Sequence, residues 1–333
     1  MSIPTIAFYG ARANIGTTSL VYHLAWRLDD MGLRVLAVDL DPQARLTRAF
    51  VSETRLEQCL FDSSDSYSVF DALRPLRERA GDVGDAHVED ISSGLGLVVG
   101  DMALSTFEHS LSTAWPKCSD GDDHALRITS AFWSLIQAAA GRHEADVILV
   151  DIAPNLGAIS RAALVASDHV VIPLASDMFS LQGIRNIGPA LRLWRETWSQ
   201  RIGEAPAGLS LPSGGMEPIG YVVVRHSISL NRPAEARERW IGRIPAAYAT
   251  SVLSAEEPDD RNLTIYRDPN CVGQLNHYRS LMPMAREARK PMFHLKPADG
   301  AMGSIMSAVV QTGRDFRAVA EEIAKRAGLP GLE

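Results

Sequence analysis

The feature that most constrains the fold lies at the start of the chain. "TIAFYGARANIGTTSLVYHLAWRLDDMGLRVLAVDLD" reads as strand, loop, helix, turn and strand. The first apolar run stops at Gly10. The helix after it carries Leu20, Leu24 and Leu28 on one stripe and ends at Gly32. "RVLAVDL" is nearly continuous in apolar residues, which marks a parallel strand buried on both faces. Two such strands joined by a helix form a crossover that is right-handed in almost every case.

The pattern recurs in "GLGLVVG" (94–100), "ADVILVDIA" (145–153), "DHVVIPLA" (168–175) and "PIGYVVVRH" (218–226), with helix-like segments at 125–140 and 182–200 between them. Alternating strands and helices predict an α/β fold, a doubly wound and mostly parallel sheet flanked by helices. Residues 301–327 read as a closing helix with Ile305, Val309, Phe316, Val319 and Ile323 facing inward. No internal repeat is visible, so residues 1–333 are read as a single domain. Residues 251–270 are read as an acidic, turn-rich surface insertion.

Composition narrows the class. No apolar run approaches the roughly 18 residues of a membrane span. The start lacks a basic-then-apolar leader, so a cytoplasmic protein is expected. Cys59, Cys118 and Cys271 are too scattered for a metal or disulfide framework. A net charge of −7 argues against wholesale coating of nucleic acid, though a local basic face remains compatible with it. Arginine carries nearly all the positive charge: Lys117, Lys290, Lys296 and Lys325 are the only lysines.

That last point bears on "GARANIGTTS" (10–19). In a phosphate-binding loop, backbone N–H groups at a helix N-terminus cradle phosphates, a lysine spans the outer ones, and a Ser/Thr hydroxyl holds Mg²⁺. Gly16 permits the close backbone approach and Thr18 suits the metal, but Thr17 stands in the lysine's place. Alone, Gly-Thr-Thr before a helix is an ordinary turn. "VLAVDLDPQ" ends a strand with Asp39 and Asp41, however, and "DVILVD" ends another with Asp151. Carboxylates at the C-terminal ends of parallel strands face the crevice where open α/β sheets bind ligands, and Mg²⁺ prefers such oxygen ligands. Together the three stretches point to one site.

These stretches resemble the ParA/MinD family of deviant-Walker P-loop ATPases, the ParA branch above all. "RANIGTTS" and "VDLDPQARLT" fall at the family's spacing, and "DVILVDIAPNLGAISRAALVASDHVVIPLASDMFSLQGI" is similar to its Walker B region throughout. The resemblance implies a P-loop NTPase fold of ParA type, with ATP or ADP and Mg²⁺ as cofactors. It places Arg12 where the family's signature lysine reaches the partner subunit's nucleotide. Ala13, Asn14, Ile15, Gly16, Thr17, Thr18 and Ser19 then form the nucleotide loop. Asp39 and Asp41 become the first switch, catalytic with Arg12, while Thr18, Asp39 and Asp151 serve the metal. Ala13 and Asn14 replace glycines and Thr17 replaces lysine, so this Walker A loop is degenerate and hydrolysis is expected to be weak or absent.

The resemblance further implies a homodimer, nonspecific DNA binding and a ParB-like or ParA-like protein partner. The arginine-rich stretch from 181 to 250 supplies candidates for DNA in Arg192, Arg195, Arg225 and Arg232, against the plainer reading of a solvated face. The leading expectation is a ParA-like binding protein in plasmid or chromosome partition, cargo positioning or a related mobile-element system. Its rivals are a slow Mg-dependent ATPase cycling between monomer and ATP sandwich dimer, and a structural subunit paired with an active homologue.

Overall fold

The computed structural model describes residues 2–10, 12–58, 60, 67–224, 239–256, 263–276, 278 and 281–330. Its strands are β1 (Thr5–Phe8), β2 (Val35–Asp39), β3 (Val88–Asp90), β4 (Leu95–Val98), β5 (Val147–Asp151), β6 (His169–Leu174), β7 (Glu217–Val224) and β8 (Cys271–Leu275). They form one sheet in the order β3-β4-β2-β5-β1-β6-β7-β8. Every pairing is parallel except β3 with β4 at the edge.

The helices are α1 (Thr17–Asp30), α2 (Arg45–Phe50), α3 (Glu53–Glu57), α4 (Val69–Ala72), α5 (Arg74–Arg77), α6 (Phe107–Lys117), α7 (Asp123–His143), α8 (Ala158–Val165), α9 (Met178–Glu204), α10 (Ile244–Ser251), α11 (Leu281–Ala288) and α12 (Ser304–Arg326). Side chains alternate across each strand, so the continuous apolar runs feed two cores. Ala7, Leu36, Val38 and Ile148 point to the layer of α6 to α10, where they meet Phe107, Phe132, Ile184 and Tyr248. Ile6, Phe8, Val35 and Ala37 point to α1, α11 and α12, meeting Leu24, Leu281, Phe316 and Val319. This is the doubly wound sheet read from the sequence.

The sheet has two strands that the sequence reading lacked. β3 is three partly exposed residues. β8 mixes Gly273 and Gln274 into an edge position, where one-sided burial suffices. Within 251–270, residues 257–262 lie outside the described set. In its C-terminal part Asp268 is buried and accepts the Tyr221 hydroxyl at 2.6 Å and the Asn270 N–H at 2.9 Å.

Candidate functional site

β1 and β5 are register neighbours, as are β2 and β5. Phe8 and Asp39 therefore both stand beside Asp151, at the C-terminal edge of the sheet. The chain leaves β1, passes Asn14 (φ 61°) and Gly16 (φ 93°) in left-handed conformation, and enters α1. Gly16 is the N-cap, contributes no side-chain bond, and no acidic residue follows in the first turn. Three other helices fill this end with a carboxylate, while α2, α10 and α12, like α1, have neither a side-chain cap nor an acidic first turn. Glu108 accepts the N–H groups of Ala158 and Ile159 at 2.6 and 2.8 Å at the start of α8, and Asp122 and Asp177 cap α7 and α9. A helix N-terminus concentrates unpaired N–H donors and positive potential. The start of α1 is thus arranged for an anion brought from outside.

The loop opens into a cleft of about 730 Å³ lined by Arg12, Ala13, Asn14, Gly16, Thr17, Thr18, Ser19, Asp41 and Asp151. These nine sequence-predicted residues meet in one place. Ile15 is buried behind the loop at 1% exposure. Asp39 is also behind it. Fully buried, it accepts the Thr47 N–H and hydroxyl at 2.8 Å each and the Asp41 N–H at 3.2 Å. Asp39 therefore fixes the β2–α2 turn that presents Asp41, and is not itself part of the cleft wall. Asp41 accepts the Gln43 N–H at 3.0 Å and faces the Arg45 guanidinium at 3.3 Å.

Burial raises the Asp39 pKa to about 6. The Thr47 hydrogen bonds pull it back, and the charge of Asp41 adds to the rise. Asp151 is also raised well above the ordinary carboxylate range, first by burial and then by the Asp39 charge, while the Thr18 hydroxyl and Arg45 oppose the shift. Two carboxylates on adjacent strands cannot both ionise cheaply, and the pair asks for a proton or a cation. One Asp151 oxygen, Oδ2, is buried with no hydrogen-bond partner. The residues fit Mg²⁺: Thr18 and Asp151 would hold it, with Asp41 alongside. Among the described residues no three His, Cys, Asp or Glu side chains form a complete metal cage. Ligand phosphate oxygens and water would supply the remaining positions, as Mg²⁺ usually requires.

Two of the sequence-predicted residues contact their own chain within the cleft. Arg12 turns to its own chain. Its Nε and Nη2 donate to Asp177 Oδ2 at 3.1 and 2.5 Å, and Nη1 donates to the Ala13 carbonyl at 3.0 Å. Thr17 lies over Gly10, its hydroxyl in the space that a Cβ there would need. Two of the proposed DNA arginines also contact their own chain. Arg192 donates to the Ser251 and Val252 carbonyls at 2.7 and 3.3 Å. Gly188, one turn earlier, lets α9 press its backbone on Ser251. Arg195 donates to the Gly215 and Met216 carbonyls, both at 2.7 Å. Both guanidinium groups tie α9 to neighbouring chain. Arg225 and Arg232 lie outside the described residues.

The sequence reading missed the far wall of the cleft, which includes Tyr22, His23, Arg48, Arg286, Arg289 and Lys290. His23 is neutral: burial lowers its pKa to about 4, Nδ1 bonds the Ser19 carbonyl at 2.7 Å, and Nε2 accepts the Met292 N–H at 3.2 Å. Arg286, Arg289 and Lys290 fall in "MPMAREARK" (282–290). The available signal is the i, i+4 spacing of Met282 and Arg286, which puts the arginine on the same helix face as a methionine that also lines the cleft.

Comparison with known proteins agrees with this layout. The family described as an AAA domain matches residues 3–203. The sporulation initiation inhibitor protein Soj of Bacillus subtilis is 27% identical over 190 residues, 56% of this chain and 64% of Soj. The match thus spans less than two thirds of that relative. Among solved structures, a protein from Corynebacterium diphtheriae superposes with a TM-score of 0.70 at 20% identity, covering 98% of this chain and 99% of that one. A plasmid partition protein from Borrelia burgdorferi bound to AMPPNP gives 0.54 at 16% identity, covering 98% and 100%. At those identities the structures speak for the fold. The family match covers well over half the chain, and with the loop, Asp41 and Asp151 gathered at one strand-end cleft, the chain belongs to the ParA/MinD family of P-loop ATPases.

Proposed function

We propose that the protein is a ParA-like partition or positioning factor with a degenerate nucleotide site, acting by dimerisation and by binding DNA or a protein partner. One observation carries this reading. What supports it is that Asp151, Asp41 and Thr18 line one cleft while Thr17, at the position of the lysine in the resemblance, has its hydroxyl against Gly10. Mg²⁺, when bound, supplies charge neutralisation for phosphate oxygens. Phosphoryl transfer depends on positioning and electrostatics, and loss of one preorganised electrostatic donor costs roughly 10²–10³ in rate. Threonine is short and uncharged, so nucleotide serves as a weak ligand of state rather than as a fuel.

A slow Mg-dependent ATPase is the second reading. The observation that favours it is the orphaned Asp151 oxygen, which keeps a metal position available. The test is a titration of Mg-ATP into wild type and Thr17→Lys, with phosphate release followed in parallel. Weak binding without turnover in wild type, and turnover at least tenfold higher in the variant, supports the degenerate-site reading. Steady turnover in wild type at the variant's rate would replace it with the enzyme reading.

A further inference from the structure

The cleft holds six cationic side chains, and they divide into two groups. Arg12 is paired with Asp177, Arg45 with Asp41, and Lys290 with Asp299 at 2.8 Å. Arg48, Arg286 and Arg289 have no carboxylate within ion-pair distance among the described residues. In a chain of net charge −7, three uncompensated guanidinium groups around one cavity are a site for an anion.

Their place along α1 says which part of the anion they meet. The segment that holds α11 meets α1 at two points: Ser19 Oγ contacts Met282 Sδ at 3.8 Å, and the Met292 N–H, four residues past the end of α11, bonds His23 at 3.2 Å. Arg286 is one helical turn beyond Met282 and on the same face. Arg289 follows the end of α11 with φ 51° and lies near enough to Tyr22 for its charge to favour the phenolate. Both arginines therefore stand on the Ser19–His23 side of the loop. A P-loop lysine acts at the other side, on the two outer phosphates. In this chain Thr17 brings no charge to the outer side, Arg12 and Arg45 are each paired with a carboxylate, and Arg286 and Arg289 stand unpaired on the inner side among the described residues.

We infer that Arg286 and Arg289 grip the inner phosphate of a nucleotide in this cleft, so that the site takes nucleoside di- and triphosphates with nearly equal affinity. The inference rests on the reading of the cleft as a nucleotide site and adds its specificity. Arginine suits the role because its fork can engage two phosphate oxygens at once. The two side chains come from α11 and the turn just after it, outside the residues 3–203 that carry the family match. The site thus senses whether a nucleotide is present more than whether its outermost phosphate has been lost.

The test is calorimetric titration of ADP and of ATP, each with Mg²⁺, into wild type, the Arg286→Gln/Arg289→Gln double variant and Thr17→Lys. Both arginines are exposed, so the double variant is expected to keep the wild-type melting temperature. Wild type is expected to bind the two nucleotides within about threefold of each other. The double variant should weaken both by about tenfold or more, the loss expected when charge-assisted bonds go. Thr17→Lys should tighten ATP more than ADP. If the double variant binds both as wild type does, or wild type prefers ATP by tenfold, the inner-phosphate grip is wrong while the nucleotide reading stands. If wild type binds neither nucleotide at millimolar concentration, the inference falls together with that reading.

Discussion

Two regions of this molecule are rich in charge, and they use it in opposite ways. At the strand ends, Asp39 and Asp151 sit buried beside each other with one oxygen left unpartnered, an arrangement that costs stability and prepares a site. Along α9, Arg192 and Arg195 direct their guanidinium groups at backbone carbonyls, an arrangement that ties the fold together and leaves little for a ligand. Charge count does not separate the two. Partner count does: an arginine whose donors are taken up inside the fold is structural, whereas a buried carboxylate oxygen without a donor, as at Asp151 Oδ2, marks where something else belongs.

The comparison can be tested hardest on α9. Replacing Arg192 or Arg195 by alanine leaves buried or half-buried carbonyls without their charged donors, and each loss is expected to cost about 2 kcal/mol of unfolding free energy. Denaturant midpoints would read this directly. DNA retention by the folded protein, compared at equal ionic strength, should be unchanged. Undiminished stability with weakened DNA binding would turn these residues back into a contact surface and dissolve the contrast.

At the strand ends the sign reverses. Asp151→Asn removes a charge that the fold accommodates poorly, so the variant is expected to be more stable than wild type at pH 7.5 by about 1 kcal/mol. Because burial and mutual repulsion raise both carboxyl pKa values, the pair's stability is fully present below about pH 4. It is lost as pH rises through about 6, the Asp39 value. The advantage of the variant should therefore fade on acidification toward pH 4. The same variant should lose any stabilisation by Mg²⁺ and nucleotide, read as a melting shift. A destabilised Asp151→Asn protein at neutral pH would mean that Thr18 and Arg45 already compensate the charge, and the site would no longer need a cation.

This difference also explains what could be read in advance. Asp41 and Asp151 were legible because a buried apolar run fixes strand direction, and a parallel sheet sends the residues at its C-terminal ends to one edge. Asp39 follows the same rule and reaches the edge, yet Thr47 intercepts it eight residues later in the chain. No spacing rule announces that bond. β8 was missed because an edge strand carrying Gly273 and Gln274 has no continuous apolar signal. Arginine partners were the least legible of all. The side chain reaches far, and its acceptors in this fold are carbonyls at 215, 216, 251 and 252, which no pattern distinguishes from other loop carbonyls. Arg286 and Arg289 share that property in reverse, since only the folded structure shows that they line a cleft with residues of α1.

Arg12 lies between the two regions and gives the smallest expected effect. It lines the cleft, yet its guanidinium is held by Asp177, whose carboxylate also caps α9 through the Ser180 N–H at 2.9 Å. Burial alone would push the Asp177 pKa up, but Arg12 and the Ser180 N–H outweigh it and hold the carboxyl below its ordinary value. Any stability from the pair is therefore present above pH 4 and lost as pH falls lower. With the Arg12 side chain 32% exposed, solvent screens the pair, and Arg12→Ala is expected to cost less than about 1 kcal/mol. Asp177→Asn should cost a similar amount, since asparagine still caps a helix. Denaturant titrations of both variants, with and without ADP, place Arg12 on one side of the contrast. A loss that appears only without ADP makes the Arg12–Asp177 pair a brace for the empty loop, aligned with α9. A loss that appears only with ADP moves Arg12 to the ligand side, with the strand-end carboxylates.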